Sequence, residues 1–379
     1  MIGDPSQHLA IPQYGIALTK INDNVIDNNQ IDTIRALQKV KMEGFIYDDD
    51  GEIMSDFNGK IYPTVFDKKI QVSTLGQDES SQVANFNLQK NILFKGISSV
   101  TAGKFEFEFV VPKDINYQFG KGKVSLYAQD EVSRDARGFF ENFIIGGTNP
   151  DLVLDDEGPE IEVFMNNEEF VLGGITNENP TLLVKLSDDN GINVVGNSIG
   201  HDLTGVLDNN TQNTFILNDF YESKLDDFTQ GEVRFPLSDL AEGPHRIDVK
   251  AWDVANNSTE GFTEFVVFSS EEAVLDHVLN YPNPFTTSTN FQFEHNLQGQ
   301  DIDILVQIFS VSGKLIKSIE KTVFAKGDRV TDVHWDGKDE YGDRLARGVY
   351  LYKVKINANG LEDKQLKSES AFERLVILK

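Results

Sequence analysis

Tyr281-Pro282-Asn283-Pro284-Phe285 constrains the fold of this chain more than any other stretch. Two prolines at alternate positions remove two backbone donors and fix φ, and Asn283 before Pro284 is pushed to an extended conformation. Such a segment cannot pair as a central strand. It can enter a sandwich along an edge and drop Phe285 into the core. The residues beyond it fit that role: Val306 and Ile308, then Tyr350, Tyr352 and Val354, recur at period two, the pattern of half-buried strands. Gly337, Gly342 and Gly348 punctuate the run between the last strands, where turns need positive φ or a close approach. The C-terminal region therefore reads as one small β-sandwich.

The same period runs through the rest of the chain. Lys104-Phe105-Glu106-Phe107-Glu108-Phe109-Val110-Val111 places three phenylalanines on one face and glutamates on the other. Lys123–Ala128 follows a Gly120-Lys121-Gly122 turn and is expected to be its hairpin partner. Asp32–Leu37 is expected to make one helical turn. Thr148-Asn149-Pro150 to Glu157-Gly158-Pro159 carries two prolines and an acidic cluster with little that could pack, which marks a boundary. Beyond it, strands are expected at Ile161–Phe164, Thr181–Leu186, Arg246–Trp252 and Phe262–Phe268, with a short helix at Asn218–Leu225. Ser269 to Glu272 forms the next linker. The predicted fold class is all-β: three Ig-like β-sandwich domains in series, at 15–150, 151–270 and 271–379.

The Asn283-Pro284-Phe285 opening resembles a type IX secretion C-terminal domain. So do Ile308-Phe309 before Ser312-Gly313-Lys314, Trp335-Asp336-Gly337 and Ala346-Arg347-Gly348-Val349-Tyr350. That domain is related to the Ig-like domain of flagellar hook-capping proteins. A second resemblance lies upstream, in Gly158-Pro159-Glu160-Ile161, Ser187 to Asn193, Gly200-His201-Asp202, Leu217 to Tyr221 and Ala251-Trp252-Asp253 to Ser258. In order and spacing these are similar to the region that follows the peptidase domain in the type IX sortases of Bacteroidetes, members of the gingipain-like cysteine peptidase family. Gly3-Asp4-Pro5-Ser6-Gln7-His8 to Pro12 resembles the last strand of that peptidase domain. On this resemblance, residues 1–14 are the tail of a missing peptidase domain and the chain is the C-terminal portion of a longer protein.

The resemblance implies a cell-surface, outer-membrane-associated cysteine peptidase that removes the C-terminal signal domain of cargo and attaches cargo to an anionic lipopolysaccharide. The implied partners are the outer-membrane β-barrel PorV, other proteins of the type IX attachment complex, and cargo C-terminal domains. The chain departs from the family in one decisive respect: it contains no cysteine. The thiolate nucleophile of a gingipain-like peptidase cannot come from this polypeptide. The expected role is therefore non-catalytic, to position the peptidase and dock it on PorV, with Asn283, Pro284, Phe285, Trp335, Gly348 and Tyr350 as candidate docking residues. The alternative is the C-terminal part of a type IX secreted cargo adhesin or glycan-binding protein.

Composition narrows the partners. Asp and Glu outnumber Lys and Arg by 61 to 34, a formal charge of −27. A field of that sign repels nucleic-acid phosphates and anionic headgroups. No apolar run approaches the roughly 20 residues of a membrane helix. Met1-Ile2-Gly3-Asp4-Pro5 lacks the basic region and apolar core of a signal peptide, so an export signal is expected upstream.

Few residues invite chemistry. Asp48-Asp49-Asp50-Gly51-Glu52 reads either as a hairpin turn or as a calcium loop, but lacks full EF-hand spacing. Asp155-Asp156-Glu157, Ser187 to Gly191, and Asp336 with Asp339 carry the same ambiguity, and a structural calcium using Asp155 or Asp156 stays open. No other cofactor is expected. The histidines (His8, His201, His245, His277, His295, His334) form no close ligand pair, which argues against zinc. His201 beside Asp202 would point to the opposite face of an extended segment, against a base–orienter pair. No Gly-x-Ser-x-Gly elbow occurs. Trp252 and Trp335 read as core. A glycan-binding surface would need several rings on one flat face, which sequence does not specify.

Overall fold

The computed structural model describes residues 12–27, 31–78, 80–150, 155–194, 200–270, 272–359 and 365–378. Among them the only helical element is one 3-10 turn at Asn218–Phe220. Of the expected peptidase tail, residues 1–11 lie outside the described residues. Tyr14 already belongs to the first strand.

The first core is enclosed by β1 (Tyr14–Ile21), β2 (Lys39–Tyr47), β3 (Gly59–Phe66), β4 (Ser98–Thr101), β5 (Lys104–Val110), β6 (Lys123–Asp130) and β7 (Asp135–Phe140). β6 pairs β7, β7 runs parallel to β1, and the ladder continues β1–β2–β5–β4–β3 before β3 returns to β6. The two layers are thus joined at both sides. Alternation decides what fills the space between them. Val40, Met42 and Ile46 meet Phe105, Phe107 and Phe109 inside, and Phe94 stacks on Phe109 with ring centroids 4.8 Å apart.

Two local expectations are corrected here. β6 is not the hairpin partner of β5. β2 takes one side of β5 along its whole length and β4 takes the other side at Lys104 and Phe105, so β6 lies between β3 and β7. Asp32–Leu37 is no helical turn. Thr33–Ala36 is a strand parallel to Ile144–Thr148, because Ile34 and Ala36 alternate into the core and Leu37 breaks the run at φ +59°.

The second sandwich packs a sheet of β8 (Glu160–Met165), β9 (Thr181–Ser187) and β10 (Asp227–Pro236) with Tyr221–Lys224. Facing it is a sheet of β11 (Gly243–Trp252) and β12 (Ser258–Val267) with Gly174–Thr176, Thr204–Leu207 and Phe215–Ile216. All four expected strands are present. The expected helix at 218–225 is only its first turn, since Tyr221–Lys224 pairs with β10 and buries Tyr221 and Ser223.

In the third sandwich β13 (Leu275–Tyr281), β14 (Thr289–His295) and β17 (Arg329–Trp335) face β15 (Asp301–Ser310), β16 (Leu315–Phe324) and β18 (Gly348–Asn359). β18 also carries Gln365–Glu369 and β19 (Glu373–Ile377). The proline segment runs where its chemistry allows, along an edge. The Phe285 amide donates to the Val376 carbonyl at 3.0 Å, and its own carbonyl accepts from Leu378 at 2.7 Å. Both X-Pro bonds in the segment are cis.

Side-chain hydrogen bonds cross both junctions. Between the first and second sandwiches, Asp226 accepts from the Ser99 amide (2.6 Å) and hydroxyl (2.5 Å), and the Ile97 amide donates to Ser223 Oγ (3.1 Å). Between the second and third, Asn166 Nδ2 donates to Asp328, while Glu178 ties the linker to the second sandwich, accepting from the Ser270 amide (2.9 Å) and hydroxyl (2.6 Å).

Candidate functional site

Three places concentrate polar side chains or unfilled surface: the C-terminal edge, an acidic cluster at the start of the second sandwich, and the two junctions.

At the C-terminal edge the structure separates the six docking candidates into interior and surface. Phe285 is 3% exposed and meets Trp335 edge-on with centroids 5.7 Å apart; Trp335 is 2% exposed and donates its indole N–H to the Lys338 carbonyl. These rings shape the surface from beneath. Asn283 stitches the segment to β19: its Nδ2 donates to the Arg374 carbonyl (2.9 Å) and its Oδ1 accepts from the Val376 amide (3.0 Å). Tyr350 is half-buried with its hydroxyl on the Ala346 carbonyl. Beside Gly348 lies a shallow depression lined by Arg347, Val349, Val376, Ile377 and Leu378. Tyr281, at the end of β13, is also exposed. The accessible part of this edge is therefore Asn283, Pro284, the half-buried Gly348 and their apolar neighbours.

In the acidic cluster, Asp155, Asp188 and Asp253 bring one carboxylate oxygen each within 4.8 Å of one another. Asp253 is fully buried. Burial, with repulsion from Asp253 and Asp155, pushes Asp188 up to about 6, and burial raises Asp253 in the same direction. Asn190 donates to Asp155 (2.6 Å), and the Asn257 side chain donates to Asp253 (2.7 Å) and to the Asp155 carbonyl (3.1 Å). Hard oxygen donors at this spacing suit calcium, and a proton or a cation would relieve the mutual repulsion. Asp155 and Asp188 were legible as acidic turns. Asp253 was missed because it follows directly on the expected strand Arg246–Trp252, and its place beside the loop comes from the Ile192–Asp253 bridge and the bonds flanking it. The Asp48 turn goes the other way: Asp48 Oδ1 accepts from the Asp50 and Glu52 amides at 3.0 Å, and Gly51 sits at φ +82°, so the carboxylate caps a hairpin.

At the first junction, Asp114 receives His201 Nδ1 (2.6 Å), Asn193 Nδ2 (3.3 Å) and Asn256 Nδ2 (2.6 Å). The His201 ring lies 4.3 Å from Trp252. His201 thus pairs across the junction and not with its neighbour Asp202, and Trp252 is half-buried against it. At the second junction Asp328 is buried, and its Oδ1 has no hydrogen-bond partner. Burial, reinforced by Glu294, pushes it up to about 7. His295 beside it is held down to about 4 by burial alone.

Residues 280–360 match the sequence profile of the FlgD Ig-like domain, so this part of the chain is an Ig-like domain. No curated protein matches the sequence. Among solved structures, the chain is similar to dimeric latent PorU from Porphyromonas gingivalis at 29% identity. That alignment covers all of this chain and 35% of that one, with a TM-score of 0.45. A Bacteroides ovatus protein from a mixed-linkage glucan utilization locus, SGBP-B, solved with a heptasaccharide, aligns at 8% identity, covering 95% of this chain and 70% of that one, TM-score 0.27. A tandem repeat from the extending region of a large adhesion protein aligns at 14%, covering 96% and 74%, TM-score 0.19. The chain spans about a third of the length of that PorU.

Proposed function

We propose that this chain is the non-catalytic C-terminal region of a type IX secretion sortase, displayed at the cell surface. In this reading the parent is a gingipain-family cysteine endopeptidase, whose nucleophile lies outside a polypeptide that has no cysteine. The first two sandwiches position that peptidase. The third docks on the outer-membrane β-barrel PorV through the edge around Pro284 and Gly348, and cargo C-terminal domains are cleaved nearby.

The observation that carries the reading is a conjunction. An Ig-like domain of the FlgD type at residues 280–360 follows, in one chain, the Gly200-His201-Asp202 and Ala251-Trp252-Asp253 series in the order of the sortases. No helix among the described residues is long and apolar enough to cross a membrane.

The test is made on the protein expressed in a type IX-competent Bacteroidetes cell. Surface protein that retains residues 271–379 by intact mass, and co-purifies with PorV, is the expected result. Surface protein from which residues 271–379 have been removed would make the chain a secreted cargo and end the sortase reading.

A further inference from the structure

The outer face of the first sandwich carries a row of side chains that nothing in the sortase reading uses. Register places Tyr62 beside Tyr127, Tyr127 beside Arg137, Arg137 beside Gly15, and Gly15 beside Tyr47. The row therefore crosses β3, β6, β7, β1 and β2. All of it points outward, because the alternate residues Ile61, Leu126, Ala136, Ile16 and Ile46 are buried in the core. Four strand spacings of about 4.8 Å make the row about 19 Å long.

The rings are arranged as a platform. Tyr62 and Tyr127 are tilted by only 33° with centroids 6.1 Å apart, and Gln129 Nε2 donates to the Tyr62 hydroxyl at 3.0 Å. The Tyr47 ring crosses over Gly15: a Cβ there would stand 2.2 Å from Tyr47 Cζ. Glycine is needed at that position for the ring to cross the strand. Phe139, 71% exposed, sits opposite Ser125 on one flank, and Lys60, Gln129 and Asp135 line up on the other. Arg137 is exposed and makes no hydrogen bond or ion pair among the described residues.

We propose that this face binds a linear saccharide chain, whose rings stack on Tyr62, Tyr127 and Tyr47 while its oxygens accept from Arg137. Three observations select this occupant. β3, β6, β7, β1 and β2 each have a paired strand on both sides, so an extended peptide finds no free backbone edge to join. Nucleic acid would also stack on rings, but a chain of charge −27 repels a phosphate backbone. One strand spacing is close to one pyranose unit, and tyrosine faces flanked by amide, ammonium and hydroxyl groups offer each unit both stacking and hydrogen bonding. The inference stands on the first sandwich alone and does not depend on the sortase reading.

The test is affinity electrophoresis of the full chain through gels containing hydroxyethyl cellulose, dextran or mixed-linkage β-glucan, all neutral, with dissociation constants by calorimetry. Retardation in at least one gel is expected, weakened tenfold or more in Tyr127→Ala and in Phe139→Ala. Weakening by Arg137→Gln as well would identify recognition of neutral sugar hydroxyls by the guanidinium. Thermal unfolding of each variant separates lost binding from lost fold, and the exposed Arg137 and Phe139 variants keep the test open if Tyr127→Ala unfolds. Mobility unchanged in all three gels, or retardation that survives all three substitutions, would overturn the proposal.

Discussion

Asp328 shows what one buried carboxyl does to a junction. Its Oδ2 takes Asn166 Nδ2, its Oδ1 has no partner, and Glu294 lies close enough to oppose its ionisation. The native state therefore holds a proton that the unfolded chain releases near 3.8, up to about 7. Native protein binds more protons than unfolded protein in that window. Asp328 thus lowers stability as pH rises through it, by about 1.4 kcal/mol for each pH unit crossed. His295 acts in the opposite sense: held down to about 4, it costs stability as pH falls below about 6.5. Asp328→Asn isolates the first effect, since His295 is common to both proteins and the asparagine oxygen can still accept from Asn166. The variant should melt higher than wild type at pH 8 and lose that advantage by pH 4. Equal melting temperatures across the range would show that folding does not raise the Asp328 carboxyl above its ordinary range. None of this was legible around Asp328 in the sequence; the burial arises when Asn166 and Asn167 from another sandwich close over this segment.

Among elements, the proline segment is the one whose structure followed most closely from its letters. Pro282 and Pro284 forbid a ladder, so the segment could only lie along an edge, and Phe285, as the large apolar residue after them, had to find the interior. It does so against Trp335. Phe285→Ala should destabilise the third sandwich by about 3–5 kcal/mol, the usual cost of a truncated core phenylalanine. Hydrogen exchange read by mass spectrometry should confine the loss to residues 275–378, and an equal loss in β1–β7 would mean that the cores are not separate. Lys104–Val110 was equally legible as a strand, yet its pairing was not. Alternation identifies a strand and its faces, but a partner is chosen by which edges remain free, and β2 had taken that edge. Thr33–Ala36 failed for a related reason: four residues are too few for period two to outweigh period 3.6.

For the whole molecule the question is whether three cores behave as one body. At the first junction Asp114 and Asp226 together receive donors from His201, Asn193, Asn256 and Ser99, beside the bonds of Ile97 to Ser223 and of the Lys113 and Asp226 amides to the Val254 and Ile97 carbonyls. Removing both carboxylates in Asp114→Ala/Asp226→Ala leaves each core intact, so calorimetry should resolve a separate transition for the first sandwich. A single transition unchanged in width would mean that coupling runs elsewhere. Period-two alternation, proline placement and the lack of cysteine were enough to determine an all-β chain without a thiolate nucleophile, since those properties depend only on neighbours in sequence. The Asp155–Asp188–Asp253 cluster, the buried carboxyl at Asp328 and the Tyr62–Tyr127–Arg137–Tyr47 row were decided by tertiary structure alone. Each depends on strand register or domain contact, which bring together side chains from distant segments whose own sequences carry no sign of one another.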